Sequence, residues 1–379
     1  MPSWTHLVRF IAVEDSQEHL GQLVDTTRDV GLDSAEGKDI PVYLIDGTIF
    51  DGKVTKEILH VKQLLSPVSR DQCSYIRCLG LNYTDHAQEA SLPIPKVPIL
   101  FTKPRTALSG PYPAAINIPK CAQDDTSDYE AELCMVIGKT GKNISEEDAL
   151  DYVLGYTASN DVSARTLQLL TAQWSFSKGL DGSCPIGPVL VAPSVINDPQ
   201  TLGIKAIHNG TTVQDGHTSN MIFNIKKQIS YLSQGTTLEA GTIFLTGTPA
   251  GIGYFRQPRV VLRDGDEISV KIDQIGTLVN KVRYENFERE LPSGVSFPNE
   301  CITAFNEFAF TKGPDKLTFV IYKISEDKSS VIVKETSLDK DHDAFIQNLT
   351  SSVDQGGNRA PHYAVYDVEE CDLNDDGRR

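Results

Sequence analysis

The sequence predicts an α+β chain dominated by strands and divided into more than one domain. Three observations lead there. Short apolar runs recur from residue 71 onward: "YIRCLGL", "PILFTKP", "AELCMVIG", "YVLGYTASND", "PIGPVLVAP", "GTIFLTGTP", "DEISVKI" and "GTLVNKVRYE". Gly, Pro and Asn-Gly or Asp-Gly turns separate them, which is how strands are punctuated. Between 71 and 288 helical spacing is sparse, confined to 145–153, a stretch near 163–172 and 223–234, as in a β-rich α+β architecture. Finally, 379 residues exceed what one ordinary core serves.

Residues 1–70 read as a small N-terminal lobe. "HLVRFIAV" and "IPVYLIDGTIFDG" alternate apolar and polar positions, with Asp46-Gly47 and Asp51-Gly52 as turn signals. "TKEILHVKQLLS" at 55–66 has helical spacing and is expected to close the lobe. Residues 71–288 form the main β-rich domain, where Ser145, followed three positions later by Asp148, approximates a capping box. Residues 289–379 open on a linker within "ERELPSGVSFPNE". A helix "NECITAFNEFAF", strand runs "KLTFVIYKIS" and "SSVIVKETS", a helix "DHDAFIQNLTS", a strand "HYAVYDVEE" and an acidic tail follow. No internal repeat or heptad pattern is present.

Bulk composition narrows the function classes. No apolar run approaches the roughly 18–20 residues of a membrane span. A net charge of −16 argues against nucleic acid or an anionic membrane as partner. The start, "MPSWTHLVRFIAVEDSQEHL", has no apolar signal-peptide core. Seven cysteines, at 73, 78, 121, 134, 184, 301 and 371, form no CxxC pair and read as reduced thiols. A cytoplasmic location is expected, with a mitochondrial one left open. "NGT" at 209–211 fits a glycosylation acceptor that is expected to go unused.

The chemistry begins at "SDYEAEL", 127–133. Residues two apart on a strand point the same way, so Glu130 and Glu132 project side by side from a segment that is otherwise apolar. Two uncompensated buried carboxylates would cost several kcal/mol or more. Either the face is open to water or a cation sits there. "YVLGYTASNDVSAR" reads as a strand ending at Asp161, and three carboxylates with waters suit a hard divalent cation of the Mg²⁺ or Mn²⁺ type. No His or Cys cluster has zinc spacing.

"GLNYTDHAQEA", "DYEAELCMVIGK", "GYTASNDVSARTLQ", "FSKGLDGSCPIGP" and "FLTGTPAGIG" occur in this order. Together they closely resemble the fumarylacetoacetate hydrolase superfamily. The resemblance spans roughly 71–285, and the leader also fits. "GPY" at 110–112 and "GYFRQPRVVLRDGDEI" resemble the domain-containing protein 2 branch. The resemblance implies a mixed β-roll, a homodimer, and one Mg²⁺ or Mn²⁺ held by Glu130, Glu132 and Asp161. His86 and Glu89, three apart, would form a lid segment in which the Glu orients the His as general base, a task suited to histidine. Taken alone, that segment reads as an exposed polar helix.

The resemblance further implies that Lys178 stabilises charge on the substrate. Gln168 and Arg165 would contact the substrate, and Thr248 would bind a substrate carboxylate. Ser163, Ser175, Ser177 and Cys184 are not read as nucleophiles, because no G-x-S-x-G elbow is present.

The expected substrate is a small 2-oxo acid acting through a metal-stabilised enolate. The resemblance to the domain-containing protein 2 branch puts oxaloacetate keto–enol tautomerisation first. C–C bond hydrolysis of the acylpyruvate or fumarylacetoacetate type and oxaloacetate decarboxylation stay open. Leu81 stands where an acylpyruvate-cleaving branch has arginine, which weighs against that hydrolysis. Residues 293–371 resemble the first part of an ADF/cofilin domain, and lack the portion bearing that family's long actin-contacting helix. The expected reading is therefore a truncated appendage, with actin binding through this segment as a minor alternative.

Overall fold

The computed structural model describes residues 3–285 without interruption, and beyond them 300–301, 303–304, 317, 319–324, 331–338 and 362–366. The chain divides into two units, Met1–Asn286 and Phe287–Arg379.

All eight apolar runs of the main domain are strands, six of them in one large sheet and two in a second. The first unit is organised by an eleven-stranded sheet. Its order runs Glu18–Leu23, Pro41–Asp46, Lys53–Leu65, His6–Ala12, Cys184–Val191, Val153–Asn160, Ala131–Ile137, Thr242–Leu245, Tyr75–Gly80 and Ile99–Lys103. The short Leu108–Ser109 strand pairs in parallel with Cys184–Val191. Thr242–Leu245 and Tyr75–Gly80 are also parallel, while Ala131–Ile137 lies antiparallel to both its neighbours. The sheet is therefore mixed, as expected of the β-roll. The four strands from residues 1–70 join it through His6 opposite Val191 and Leu7 opposite Leu190.

Ala131–Ile137 is buried at every position, which explains why "AELCMVI" shows no polar alternation. Ala131, Leu133, Met135 and Ile137 enter one apolar core, while Cys134 and Val136 enter the other on the opposite face. Full burial of Leu133, Met135, Val136 and Ile137 contributes about 1.5–3 kcal/mol each. That two-sided burial sets the frame against which the acidic residues must be accommodated.

Two expectations are corrected. Residues 55–66 do not form a helix. Residues 55–65 lie within the Lys53–Leu65 strand, and Ser66 follows its end. The register against His6–Ala12 shifts between Ile11, opposite Gln63, and Ala12, opposite Val61. The extra residue, Lys62, is a β-bulge that breaks the alternation, and the apolar Ile58, Val61 and Leu65, three and four apart, imitate a helical face. The 145–153 helix is reduced to a 3-10 turn, Ala149–Tyr152. Ser145 Oγ still accepts from Asp148 N–H at 3.1 Å and donates to its carboxylate at 2.7 Å. The other expected helices appear as Arg165–Leu169 and Ile225–Leu232, the latter capped by Asn224.

A five-stranded sheet, in the order Thr211–His217, Gly203–His208, Glu267–Ile272, Gly276–Tyr284 and Ile116–Ile118, completes the unit. Its hairpin turns at Asn209-Gly210, both with positive φ (47° and 77°), the backbone that favours Asn-Gly in a two-residue hairpin.

In the second unit, Phe319–Ile324 is central in a three-stranded antiparallel sheet, between Val331–Ser337 and His362–Tyr366. Cys301, Ala304, Val320 and Tyr322 form its buried cluster. The helix expected at "NECITAFNEFAF" is present at 300–301 and 303–304. Its remainder, the helix expected at "DHDAFIQNLTS" and the acidic tail lie outside the described residues.

Candidate metal centre and active site

Strand register assembles the site. Ala131 pairs with Asn160 and Glu132 with Ser159. The same ladder places Glu130, just before its strand, opposite Asp161, just after its own, and Asp161 N–H donates to Glu130 O at 2.9 Å. Glu130, Glu132 and Asp161 each offer a carboxylate oxygen, and these three atoms lie within 4.8 Å of one another. All three residues are buried, at 5%, 1% and 0% exposure, so the water-exposed alternative for "YEAE" fails.

Three buried cations surround them. Lys178, from the Ser175–Lys178 turn of helix, donates to Glu130 Oε2 at 2.7 Å, Asp161 Oδ2 at 3.1 Å and Ser163 Oγ at 2.6 Å. Lys103, ending its strand, stands 2.7 Å from Asp161 Oδ1. It also donates to Ser183 O and Oγ at 2.9 and 3.1 Å, to Val162 O at 3.3 Å and to Lys178 O. Arg165 reaches Glu130 Oε1 at 2.7 Å, Gln168 Oε1 at 2.9 Å and, through Nε and a terminal nitrogen, Asp128 Oδ2 at 2.9 Å.

Electrostatics single out Glu132. Burial alone would raise the Glu130 carboxyl, but Lys178 and then Arg165 outweigh it and hold it at about 2. Glu132 is pushed well above its ordinary value by burial, then by the charges of Asp161 and Glu130. Its described polar contact is Gly247 N–H, at 2.7 Å, and no Lys or Arg pairs with it among the described residues. Four carboxylates (Asp128, Glu130, Glu132 and Asp161) thus face three cations (Lys103, Arg165 and Lys178). An all-oxygen donor set with one uncompensated negative charge fits a hard divalent cation.

Gly247 is required where it stands. Its φ is +98°, and a Cβ there would come 2.6 Å from Asn82 Cβ.

Beside this cluster lies the Thr84–Glu89 helix. His86 Nδ1 hydrogen-bonds Glu89 Oε2 at 3.1 Å, and Glu89 Oε1 accepts from Gly251 N–H at 2.9 Å. His86 is 8% exposed, so the segment is not a solvated polar helix. Phe255 stands over it, ring centroids 6.5 Å apart.

The structure also qualifies several expected contacts. The three ammonium donors of Lys178 are all committed within the cluster. The Thr248 hydroxyl donates to Ala131 O at 2.9 Å and accepts from Gln214 Nε2 at 2.8 Å. Ser163 Oγ donates to Asp161 O at 2.9 Å, Ser177 Oγ donates to Trp174 O at 3.0 Å and Ser175 Oγ accepts from Thr102 N–H at 3.2 Å. Burial pushes the Cys184 thiol up to about 12. None of these four is an activated nucleophile. The six described cysteines are free thiols.

Two residues escaped sequence reasoning. Asp128 lies two positions before Glu130, so period two on "DYEAE" could have found it. Lys103 carried one signal, a lysine at the end of the apolar run "PILFTK".

A mixed β-roll holding a buried carboxylate trio beside a His–Glu pair defines a class of protein with a buried acidic centre of a kind that can hold a metal ion. Residues 75–283 match the family model described as fumarylacetoacetate (FAA) hydrolase, C-terminal. The chain belongs to the fumarylacetoacetate hydrolase family. Residues 294–379 match the cofilin/tropomyosin-type actin-binding protein model.

Among relatives, the chain is 48% identical to a caffeoylpyruvate hydrolase of Neonothopanus nambi over 75% of this chain and 94% of the relative. It is 46% identical to the mitochondrial oxaloacetate tautomerase fahd2 of Xenopus laevis over 58% of this chain and 68% of that one. Against the oxaloacetate tautomerase YisK of Bacillus subtilis the identity is 38%, over 69% and 95%. A solved 2-hydroxyhepta-2,4-diene-1,7-dioate isomerase from Mycobacterium marinum superposes with a TM-score of 0.62 at 32% identity, covering 74% of this chain and 99% of that one.

Proposed function

We propose that the first unit is a divalent-metal-dependent enzyme acting on 2-oxo acids, with oxaloacetate keto–enol tautomerisation as its reaction. The observation that carries the reading is the uncompensated carboxylate of Glu132 inside the buried trio, next to a tethered His–Glu pair. The names of the Xenopus and Bacillus relatives support the choice of reaction.

Glu130, Glu132 and Asp161 would hold Mg²⁺ or Mn²⁺, which supplies Lewis-acid polarisation of the substrate's 2-oxo and carboxylate oxygens. The remaining steps fall to the chain. Glu89, fixed by Gly251 N–H, holds His86 through Nδ1 and leaves Nε2 as the atom that exchanges a proton. His86 Nε2 takes the C3 proton of the keto form, and the oxygen at C2 gains a proton, so the net change is a shift of one proton from carbon to oxygen. Lys178, Lys103 and Arg165 fix the carboxylates. Lys178 would stabilise charge on the substrate only by exchanging one of its three present bonds. Gln168, half-buried beside Arg165, and the Thr248 turn are the proposed substrate contacts.

A second reading is acylpyruvate hydrolysis, favoured by the caffeoylpyruvate hydrolase relative, of which the chain covers nearly the whole length. There His86 would activate water. For the second unit the family-model match favours actin binding, tested by co-sedimentation of the full chain with filaments.

The deciding assay follows enol-oxaloacetate decay in the ultraviolet with Mg²⁺ and then EDTA, with pyruvate measured in parallel and caffeoylpyruvate as a second substrate. Metal-dependent loss of enol without pyruvate supports the tautomerase. Pyruvate formed at a matching rate means decarboxylation, and cleavage of caffeoylpyruvate alone means the hydrolase. Full activity in Asp161→Ala would remove the metal assignment.

A further inference from the structure

The Gly253–Phe255 turn touches both halves of the site, and one side chain joins it to the acidic cluster. Asp128 has no solvent exposure. Its Oδ1 accepts from Gly253 N–H at 2.8 Å, and its Oδ2 accepts from Tyr254 N–H at 3.0 Å. Oδ2 also receives Arg165 Nε at 2.9 Å, and Arg165 continues to Glu130 Oε1 at 2.7 Å. In the other direction the turn presents Phe255 to the His86 ring, and Gly251, two residues before Gly253, donates to Glu89. A Cβ on Gly253 would stand 1.9 Å from Val260 O and 2.7 Å from Asp128 Oδ1, so the carboxylate can approach this backbone only because the residue is glycine.

We propose that Asp128 is a positioning residue that ties Glu130, through Arg165, to the 251–255 turn that holds the His86–Glu89 pair. The acidic cluster and the proton-transfer pair then keep one relative placement. This rests on the metal reading above for its Glu130 side, while its turn side stands on the backbone hydrogen bonds alone. Asp128 touches no substrate. It acts through Arg165 on one side and through two peptide N–H groups on the other.

The test uses the full chain. Asp128→Asn keeps the shape and an acceptor oxygen but removes the charge that Arg165 pairs with. Mn²⁺ binding, read by electron paramagnetic resonance well below the melting temperature, should weaken about 10–100-fold, the usual effect of losing an outer partner of a metal ligand. Amide hydrogen exchange at Gly251, Gly253 and Tyr254 should speed up in the same variant. Unchanged Mn²⁺ affinity, or unchanged exchange at these amides, overturns the proposal. A merely structural aspartate would lower stability without moving Mn²⁺ affinity.

Should Asp128→Asn not fold, Arg165→Lys serves. It should weaken Mn²⁺ binding while Gly253 and Tyr254 keep their slow exchange, and wild-type affinity in that variant overturns the link. If the unaltered chain binds no Mn²⁺ at all, the metal reading fails, and exchange at the turn in Asp128→Asn decides the role of Asp128 by itself.

Discussion

The Lys103 ammonium stands 2.7 Å from Asp161 Oδ1, and neither side chain reaches solvent. Breaking a buried pair by removing one partner leaves an uncompensated charge, at a cost of about 3–5 kcal/mol. Lys103→Met should lower the unfolding free energy by that order in metal-free protein, measured by denaturant titration. Saturating Mn²⁺ should return part of the loss, because a cation beside Asp161 replaces the missing charge.

The pH dependence of the metal-stripped protein should carry the mark of Glu132. Its carboxyl in the folded state is raised above the ordinary 4.5, so the native state holds a proton that the unfolded chain releases. Stability from this group is present below about 4.5 and falls as pH rises toward the folded value. Thermal melts from pH 5 to 8 should show a decline that Glu132→Gln flattens and that Mg²⁺ suppresses.

Glu130 behaves in the opposite sense. Held at about 2 against an ordinary 4.5, it stabilises the fold above 4.5 and loses that contribution as pH falls through 2. Acid unfolding of Glu130→Gln should therefore depend less steeply on pH between about 4.5 and 2 than that of the unaltered protein, as read by circular dichroism.

Replacing His86 with alanine should cut turnover of enol-oxaloacetate by about 10²–10⁴-fold, the range of a lost general base. Mn²⁺ affinity should be unchanged, because His86 is not among the three carboxylates. Glu89→Gln should lose less, and should shift the pH profile of kcat by altering the partner at Nδ1.

Gly247→Ala tests the backbone donor to Glu132. A side chain at φ +98° that meets Asn82 Cβ at 2.6 Å is strained, at roughly 1–3 kcal/mol. The expected outcome is a destabilised fold with weakened metal binding, seen by calorimetry.

Much of this was readable in advance. Eight strands of the main domain followed from turn-bounded apolar runs, because residues buried on both faces leave a continuous apolar signature. Glu130, Glu132 and Asp161 were found because an acid inside such a run is conspicuous. Lys103 was not, since a lysine closing a strand resembles the usual solvated end. The 55–66 helix failed because Ile58, Val61 and Leu65 fall three and four apart, while the bulge at Lys62 interrupts the alternation that marks a strand. Thr248 and Lys178 were located by motif, but a motif cannot tell that their donors are already spent on Ala131 and on the cluster.

The register that sets Glu130 opposite Asp161 also governs which sequence changes the family scaffold can absorb. The acidic pair depends on the count of residues inside two adjacent strands, and is indifferent to the length of the 138–152 connection between them. Insertions at its exposed 145–148 turn leave that register unchanged, whereas Ile144 and Ala149 on either side are packed into the core. One residue added between Glu132 and Ile137 would slide every downstream partner and turn alternate side chains to the opposite face. Lineages should therefore vary in that connection and hold the spacing of the strands fixed.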